Sequence, residues 1–127
     1  MMVSIIKEII AKYINSNEIA LGSTQAKMCV QIINRIFKKM SAGIKFSAIK
    51  VDNNFICDGP HRYIASFLSN YPLERNAGII APSTESVPWD LVDFEEEWEY
   101  AEDINKFNQQ DAENNNITLE EIEEMVK

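Results

Sequence analysis

Phe55-Ile56-Cys57-Asp58-Gly59-Pro60-His61-Arg62-Tyr63-Ile64-Ala65-Ser66-Phe67-Leu68 reads as a short apolar strand, a sharp turn and an amphipathic helix. Proline suits the first helical position, since its missing N–H would find no intrahelical partner there. The helix is therefore expected from Pro60 to about Asn70, with Ile64, Phe67, Leu68 and Tyr71 inward and Pro72 ending it. A helix start presents backbone N–H groups and a partial positive charge. His61, the only histidine, and Arg62 both fall in that first turn. An imidazole and a guanidinium beside exposed amides predict an anion site, most naturally one for phosphate.

Upstream of this unit, Ile44 to Val51 alternates loosely and is expected to form a strand, with Asp52-Asn53-Asn54 as a hairpin turn back into Phe55–Cys57. Before it, Ile5, Ile6, Ile9, Ile10, Tyr13 and Ile14 recur at helical spacing, with Lys7, Glu8 and Lys12 on the other face. That helix should stop near Asn15-Ser16-Asn17. Gly22-Ser23-Thr24 offers an N-cap for a longer second helix bearing Met28, Ile32, Ile33, Ile36, Phe37 and Met40. Arg35, Lys38 and Lys39 are expected on or beside its outer face, and Gly43 is a stop signal.

Downstream, residues 75–88 hold Gly78, Pro82 and Pro88 and read as a loop with a brief strand over 78–81. Val87 to Phe94 is expected as a strand that Pro88 places at an edge. A helix is expected from about Glu96 through Asn108, carrying Trp98, Ala101, Ile104 and Phe107. Asn114-Asn115-Asn116 breaks the pattern, and Thr118-Leu119-Glu120-Glu121 is a capping box for a last helix. The elements imply a small α/β (α+β) domain over residues 1–127: N-terminal helices in 1–43, a short mixed sheet with the motif helix in 44–94, and acidic helices in 95–127.

The net charge of −8 conceals a split. Residues 1–75 hold ten Lys/Arg against five Asp/Glu, a balance of +5, and residues 76–127 hold two against fifteen, a balance of −13. A basic half suits a phosphate-bearing ligand. The acidic third is a solvated helix face, a shield folded back over the basic site, or a surface for a basic protein partner. Cys29 and Cys57 have no C-x-x-C spacing, which argues against a metal clip or disulfide framework and fits a reducing, cytoplasmic setting. No apolar run approaches the roughly 18 residues needed to span a membrane.

Among single residues, Arg62 is the best candidate for a phosphate oxygen; its bland alternative is a surface pair with a nearby carboxylate. His61 is a candidate phosphate donor or general acid–base, since an ordinary histidine titrates near neutrality; its bland alternative is a structural histidine. Asp58 suits proton transfer or water-mediated Mg²⁺ binding, and equally suits a turn. Gly59 is needed for the tight backbone in any case. Lys45 and Lys50 flank the incoming strand; they read as solvated lysines, with an extension of the positive field the alternative. Adjacent Glu95, Glu96, Glu97 and Glu99 fan around a helix instead of converging, so no metal site is expected there. Trp89 and Trp98 are read as fasteners of the acidic third to the core, with base stacking the alternative.

From about Ile32 to Ala77 the order helix, Gly43, strand, turn, strand, D-G-x-H-R, helix resembles the ParB/sulfiredoxin-like superfamily. ParB-type domains carry G-E-R-R at the corresponding place and sulfiredoxins carry G-C-H-R; here it is Gly59-Pro60-His61-Arg62, followed by Tyr63. The resemblance covers the middle third of the chain. It implies a small mixed α/β fold whose signature binds nucleotide phosphates at a helix start. The implied cofactor is a nucleoside triphosphate, with or without Mg²⁺. Members include CTP-binding DNA-segregation proteins, ATP-dependent sulfinic-acid reductases, small-molecule kinases, nucleases and toxin modules, so the fold alone chooses no reaction.

The departures narrow the choice. Pro60 stands where sulfiredoxins have the reactive cysteine, so sulfinic-acid reduction is not expected. Proline also removes one N–H from the cradle, leaving those of His61, Arg62 and Tyr63. Tyr63 replaces the second ParB arginine, and no helix-turn-helix comes after it, which argues against site-specific DNA binding. Three functions remain: a nucleotide-binding domain with phosphoryl-transfer or phosphodiester-cleaving chemistry, a toxin-type nuclease, and a non-catalytic acidic or immunity-like protein.

Overall fold

The computed structural model describes residues 7–16, 19, 21–79, 85–95 and 101–127. Ile5 and Ile6 of the expected first helix lie outside these residues. So do Ile80 and Ala81 of an expected strand, and Glu96, Glu97, Trp98 and Glu99 of the expected acidic helix.

The hairpin at the centre forms as its sequence requires. Strand β2 (Ile49–Asp52) runs antiparallel to β3 (Phe55–Asp58) across Asn53 and Asn54. Both asparagines have positive φ, 49° and 66°, the consecutive left-handed pair that a tight hairpin demands and that asparagine tolerates best among non-glycine residues. The register shifts between Lys50 and Val51, which face Asp58 and Ile56, so Cys57 is an extra residue on β3. Such a bulge bends its strand and re-aims the chain beyond it. Here that is the turn at Gly59 and helix α3 (Pro60–Ser69).

Pro60 is the first residue of α3, and Asn70 closes the helix in the left-handed conformation. Tyr63, Ile64 and Ala65 are buried, and Phe67 and Leu68 pack beside them. The chain then returns to strand β4 (Arg75–Ala77), parallel to β2, giving a three-stranded sheet in the order β3-β2-β4. Among the described residues pairing starts before the strand expected over 78–81, at Arg75 opposite Ile49, and Gly78 adds its N–H to the Val51 carbonyl. The strand expected over 44–51 is also shortened. Residues 44–48 lie outside the ladder: Ile44 donates its N–H to the Lys39 carbonyl, and Lys45 and Phe46 bond to side chains. Tyr71 Oη accepts the Phe46 N–H, while Asn115 accepts the Lys45 N–H through Oδ1 and donates to the Lys45 carbonyl through Nδ2.

The largest correction falls upstream. Gly22-Ser23-Thr24 does not cap a helix. Gly22 pairs with Phe55 and Ser23 with Val87, and the Thr24 hydroxyl donates to the Ile56 carbonyl. A Cβ at Gly22 would lie 2.5 Å from the Phe55 ring, so this approach needs glycine. Residues Lys27–Cys29 form strand β1, and helix α2 (Val30–Ser41) begins only after Cys29, ending before Gly43 at φ +96°. Met28 therefore belongs to a strand, not to the helix stripe; a short apolar run fits either period until its partner is known.

That partner is strand β5 (Asp93–Glu95), which runs parallel to β1 as a separate two-stranded sheet. The strand expected over 87–94 reduces to it, preceded by a 3-10 turn at Trp89–Leu91 and a lone bridge at Val87. Trp89 holds the position expected of it. Its indole N–H donates to the Leu21 carbonyl and its ring stacks on Tyr63 at 6.3 Å.

Helix α1 (Lys7–Ser16) buries Ile10 and stacks Tyr13 on Phe67. The main core joins it to Leu21, Met28, Ile33, Met40, Ile49, Ile56, Tyr63, Ile64 and Phe94. Helix α4 (Ala101–Asn114) runs past the expected end at Asn108 as far as Asn114. Helix α5 (Leu119–Met125) is capped as expected, with Thr118 Oγ1 accepting the Glu121 N–H. These two helices enclose a second small cluster of Ile44, Ala112 and Ile122. The described residues make a small α+β fold of five α-helices and two short sheets, one mixed and one parallel. None of these helices is long and apolar enough to cross a membrane.

Candidate functional site

A cavity of about 710 Å³ opens over the start of α3. Asp58, Gly59, Pro60, His61 and Arg62 all line it, so the motif faces an open space and not packed protein. The opposite walls come from α2, through Ile32, Arg35, Ile36 and Lys39, and from Lys45 and Phe46 in the segment before β2. Helix α4 closes the remaining side with Phe107, Gln110, Asp111 and Asn114. These four sit at i, i+3, i+4 and i+7, one continuous stripe of a helix.

Gly59 is the N-cap of α3 with φ +90°, a conformation that L side chains resist. A Cβ there would also lie 2.7 Å from Ile49 Cγ2 and 2.6 Å from an Arg62 terminal nitrogen. Glycine thus allows the guanidinium to fold back over its own turn. Arg62 Nη2 lies 3.7 Å from Asp58 Oδ2 and 3.4 Å from the Ala48 carbonyl, both long contacts. Its buried Nε has no hydrogen-bond partner among the described residues. The arginine is thus held at the cavity by partners from the motif and from the segment just before β2, with donor capacity left over. Asp58 is 66% exposed and faces the same space.

Two expectations about the motif change. His61 lines the cavity, but its Nε2 accepts the Cys29 N–H at 3.0 Å, at the very start of α2. Accepting that bond requires Nε2 to be unprotonated, and burial pushes the imidazole pKa down to about 4. A neutral ring adds no cationic charge for an anion, and the nitrogen that would serve as base is engaged by the backbone. His61 is a strut between two helices. Tyr63 turns the other way. Its N–H donates to the Gly59 carbonyl, its side chain is buried, and its hydroxyl accepts the Leu21 N–H. It offers the cavity neither amide nor side chain.

Sequence reasoning put Lys39 on an outer face. Its side chain is only 3% exposed, and Nζ lies 2.7 Å from Asp111 Oδ2. Lys38 is also buried, with Nζ donating to the Lys127 carbonyl. The helical phase was right, but α4 and α5 cover that face. Lys45 lines the cavity, whereas Lys50 is an exposed strand residue opposite Asp58. Burial and the carboxylates of Asp52 and Asp58 push the Cys57 thiol up, away from a thiolate nucleophile. Among the described residues no group of three or more His, Cys, Asp or Glu gathers as a metal site.

The cavity as built is a mixed surface. Arg35, Lys39, Lys45 and Arg62 supply positive charge, Asp58 and Asp111 oppose it, and Phe46 and Phe107 offer aromatic rings. Phe107 is 49% exposed, high for so large an apolar side chain. Comparison with known proteins returns no match: no family model fits the chain, and no curated protein or solved structure is significantly similar to it.

Proposed function

We propose that this chain binds a nucleoside phosphate in the cavity over the α3 start. The observation that carries the reading is the convergence of Arg62, Lys45, Lys39 and Arg35 on one open cavity that also presents two aromatic rings. The phosphate end belongs at Arg62 and Lys45. An anion's oxygen there would satisfy the Arg62 Nε, and an unmet buried donor costs about 1–3 kcal/mol. The base belongs against Phe46 and Phe107, where stacking is worth about 1–3 kcal/mol. The resemblance of Gly59-Pro60-His61-Arg62 to a phosphate-binding signature points the same way.

Any phosphoryl-transfer or phosphodiester-cleaving step would rest on charge neutralisation by Arg62 and the lysines. Asp58 is the one motif residue placed to take a proton, since His61 Nε2 is engaged. Calorimetry with ATP, CTP, GTP and ADP in the presence of Mg²⁺, against inorganic phosphate alone, tests the reading. Nucleotides should bind more tightly than phosphate; no heat at millimolar nucleotide overturns it.

A second reading has its own observation. Glu120, Glu121, Glu123 and Glu124 of α5 are all exposed. A basic protein partner docking there would lose affinity as salt rises, which a pull-down across an ionic-strength series measures.

A further inference from the structure

We propose that Asp111 is a built-in competitor of the anionic ligand: its carboxylate holds Lys39 in the cavity wall until a ligand phosphate takes its place. The inference rests on the nucleoside-phosphate reading and names how that site is regulated.

Lys39 and Asp111 both line the cavity, 2.7 Å apart, on elements 72 positions apart in the chain. The ammonium is almost entirely removed from water, so its charge needs an anion beside it. Asp111 supplies that anion from the acidic part of the chain. Its oxygen occupies one of the three N–H directions through which the ammonium could meet a phosphate oxygen, and its charge meets the need that a phosphate would meet.

The arm that delivers the carboxylate is lightly held. Helices α4 and α5 share only a small apolar cluster with the rest of the described residues, Ile44 against Ala112 and Ile122, flanked by Phe46, Ile117 and Met125. Most of the other attachments are polar: the two Asn115 bonds to the Lys45 backbone, the Lys38 bond to the Lys127 carbonyl, and the Lys39–Asp111 pair itself. The same stripe of α4 carries Phe107, one turn before Asp111. A ligand that draws Lys39 to its phosphate therefore meets Phe107 on the same helix. Exchange of one anion for another at Lys39 leaves the buried cation compensated throughout, so the switch needs no uncompensated intermediate charge.

Titration of the full chain and of Asp111→Asn with ATP, at fixed ionic strength, tests this. The variant should bind about tenfold more tightly than the natural chain, or bind where the natural chain does not. If the natural chain binds ATP and Asp111→Asn binds equally or more weakly, the competitor is overturned while the nucleotide site stands. If neither binds at millimolar ATP, both fall. Should Asp111→Asn not fold, the natural chain decides alone. Its Asp111 carboxyl carbon resonance should move on ATP saturation as the pair to Lys39 opens; a resonance that stays in place while ATP binds overturns the proposal.

Discussion

His61 Nε2 accepts the amide of Cys29, so the first turn of α3 is pinned to the first turn of α2 by a nitrogen that must stay unprotonated. Protonation breaks this bond and places a charge where burial resists it. The folded imidazole titrates at about 4, well below the ordinary value of 6.5. The unfolded chain therefore binds the proton more readily, and stability must fall as pH drops.

Those two values set the pH window. The His61 contribution is complete above pH 6.5 and is lost progressively as pH falls towards 4. At full strength it amounts to as much as about 3 kcal/mol. Urea unfolding across this window should show the slope. His61→Gln, whose amide oxygen can accept the Cys29 N–H without titrating, should flatten it; equal slopes in both proteins would refute the assignment.

Arg62→Ala should weaken nucleotide binding by about ten- to a hundredfold, the usual range for losing a charged hydrogen-bond donor. Its effect on stability should be small, because the side chain is 24% exposed and its contact with Asp58 is long. Parallel calorimetry and denaturant titration separate the two. A large loss of stability with unchanged affinity would make Arg62 a structural residue.

Gly59→Ala should destabilise by about 2 kcal/mol or more, since the new methyl meets both a left-handed backbone and the buried Ile49 side chain. Gly43→Ala is the informative comparison. Gly43 also has positive φ, but no described atom lies within 4 Å of its would-be Cβ, so only the backbone penalty of about 1 kcal/mol applies. Equal losses in the two variants would show that contact with Ile49 plays no part.

Ile64→Ala should cost about 2–5 kcal/mol, the range for truncating a fully buried branched chain. Thr118→Ala removes only the cap on α5 and should cost about 1 kcal/mol. Chemical denaturation of both variants tests this order.

What could be read from the sequence is what short-range chemistry determines. Asn53-Asn54, Pro60, Asn70 and Thr118 each act within a few residues of themselves, and each forms the turn or cap its type favours. Strand β1 could not be read this way. Met28 fits a helix face as well as a strand, and the choice is made by Phe94, its partner across the parallel sheet. The site divides likewise. Asp58, Gly59, His61 and Arg62 share one cavity because they are consecutive or nearly so. Lys39, Phe46, Phe107 and Asp111 join them only through tertiary packing, and of that meeting the sequence showed only the +5/−13 charge split that sets Lys39 and Asp111 in opposite parts of the chain. The structural and functional readings of His61 could not be separated in the sequence, because residue type does not reveal which nitrogen the backbone will claim.

The pairing of Lys27 with Asp93 also sets an order of assembly. Residues 49–77 can close their own three-stranded sheet from near neighbours, whereas β1 must await a strand 66 positions further along. Non-local parallel pairing is slow, and synthesis delivers the N-terminal part first. On the ribosome, Met28 and Cys29 therefore lack their strand partners, Phe94 and Glu95, when the hairpin forms.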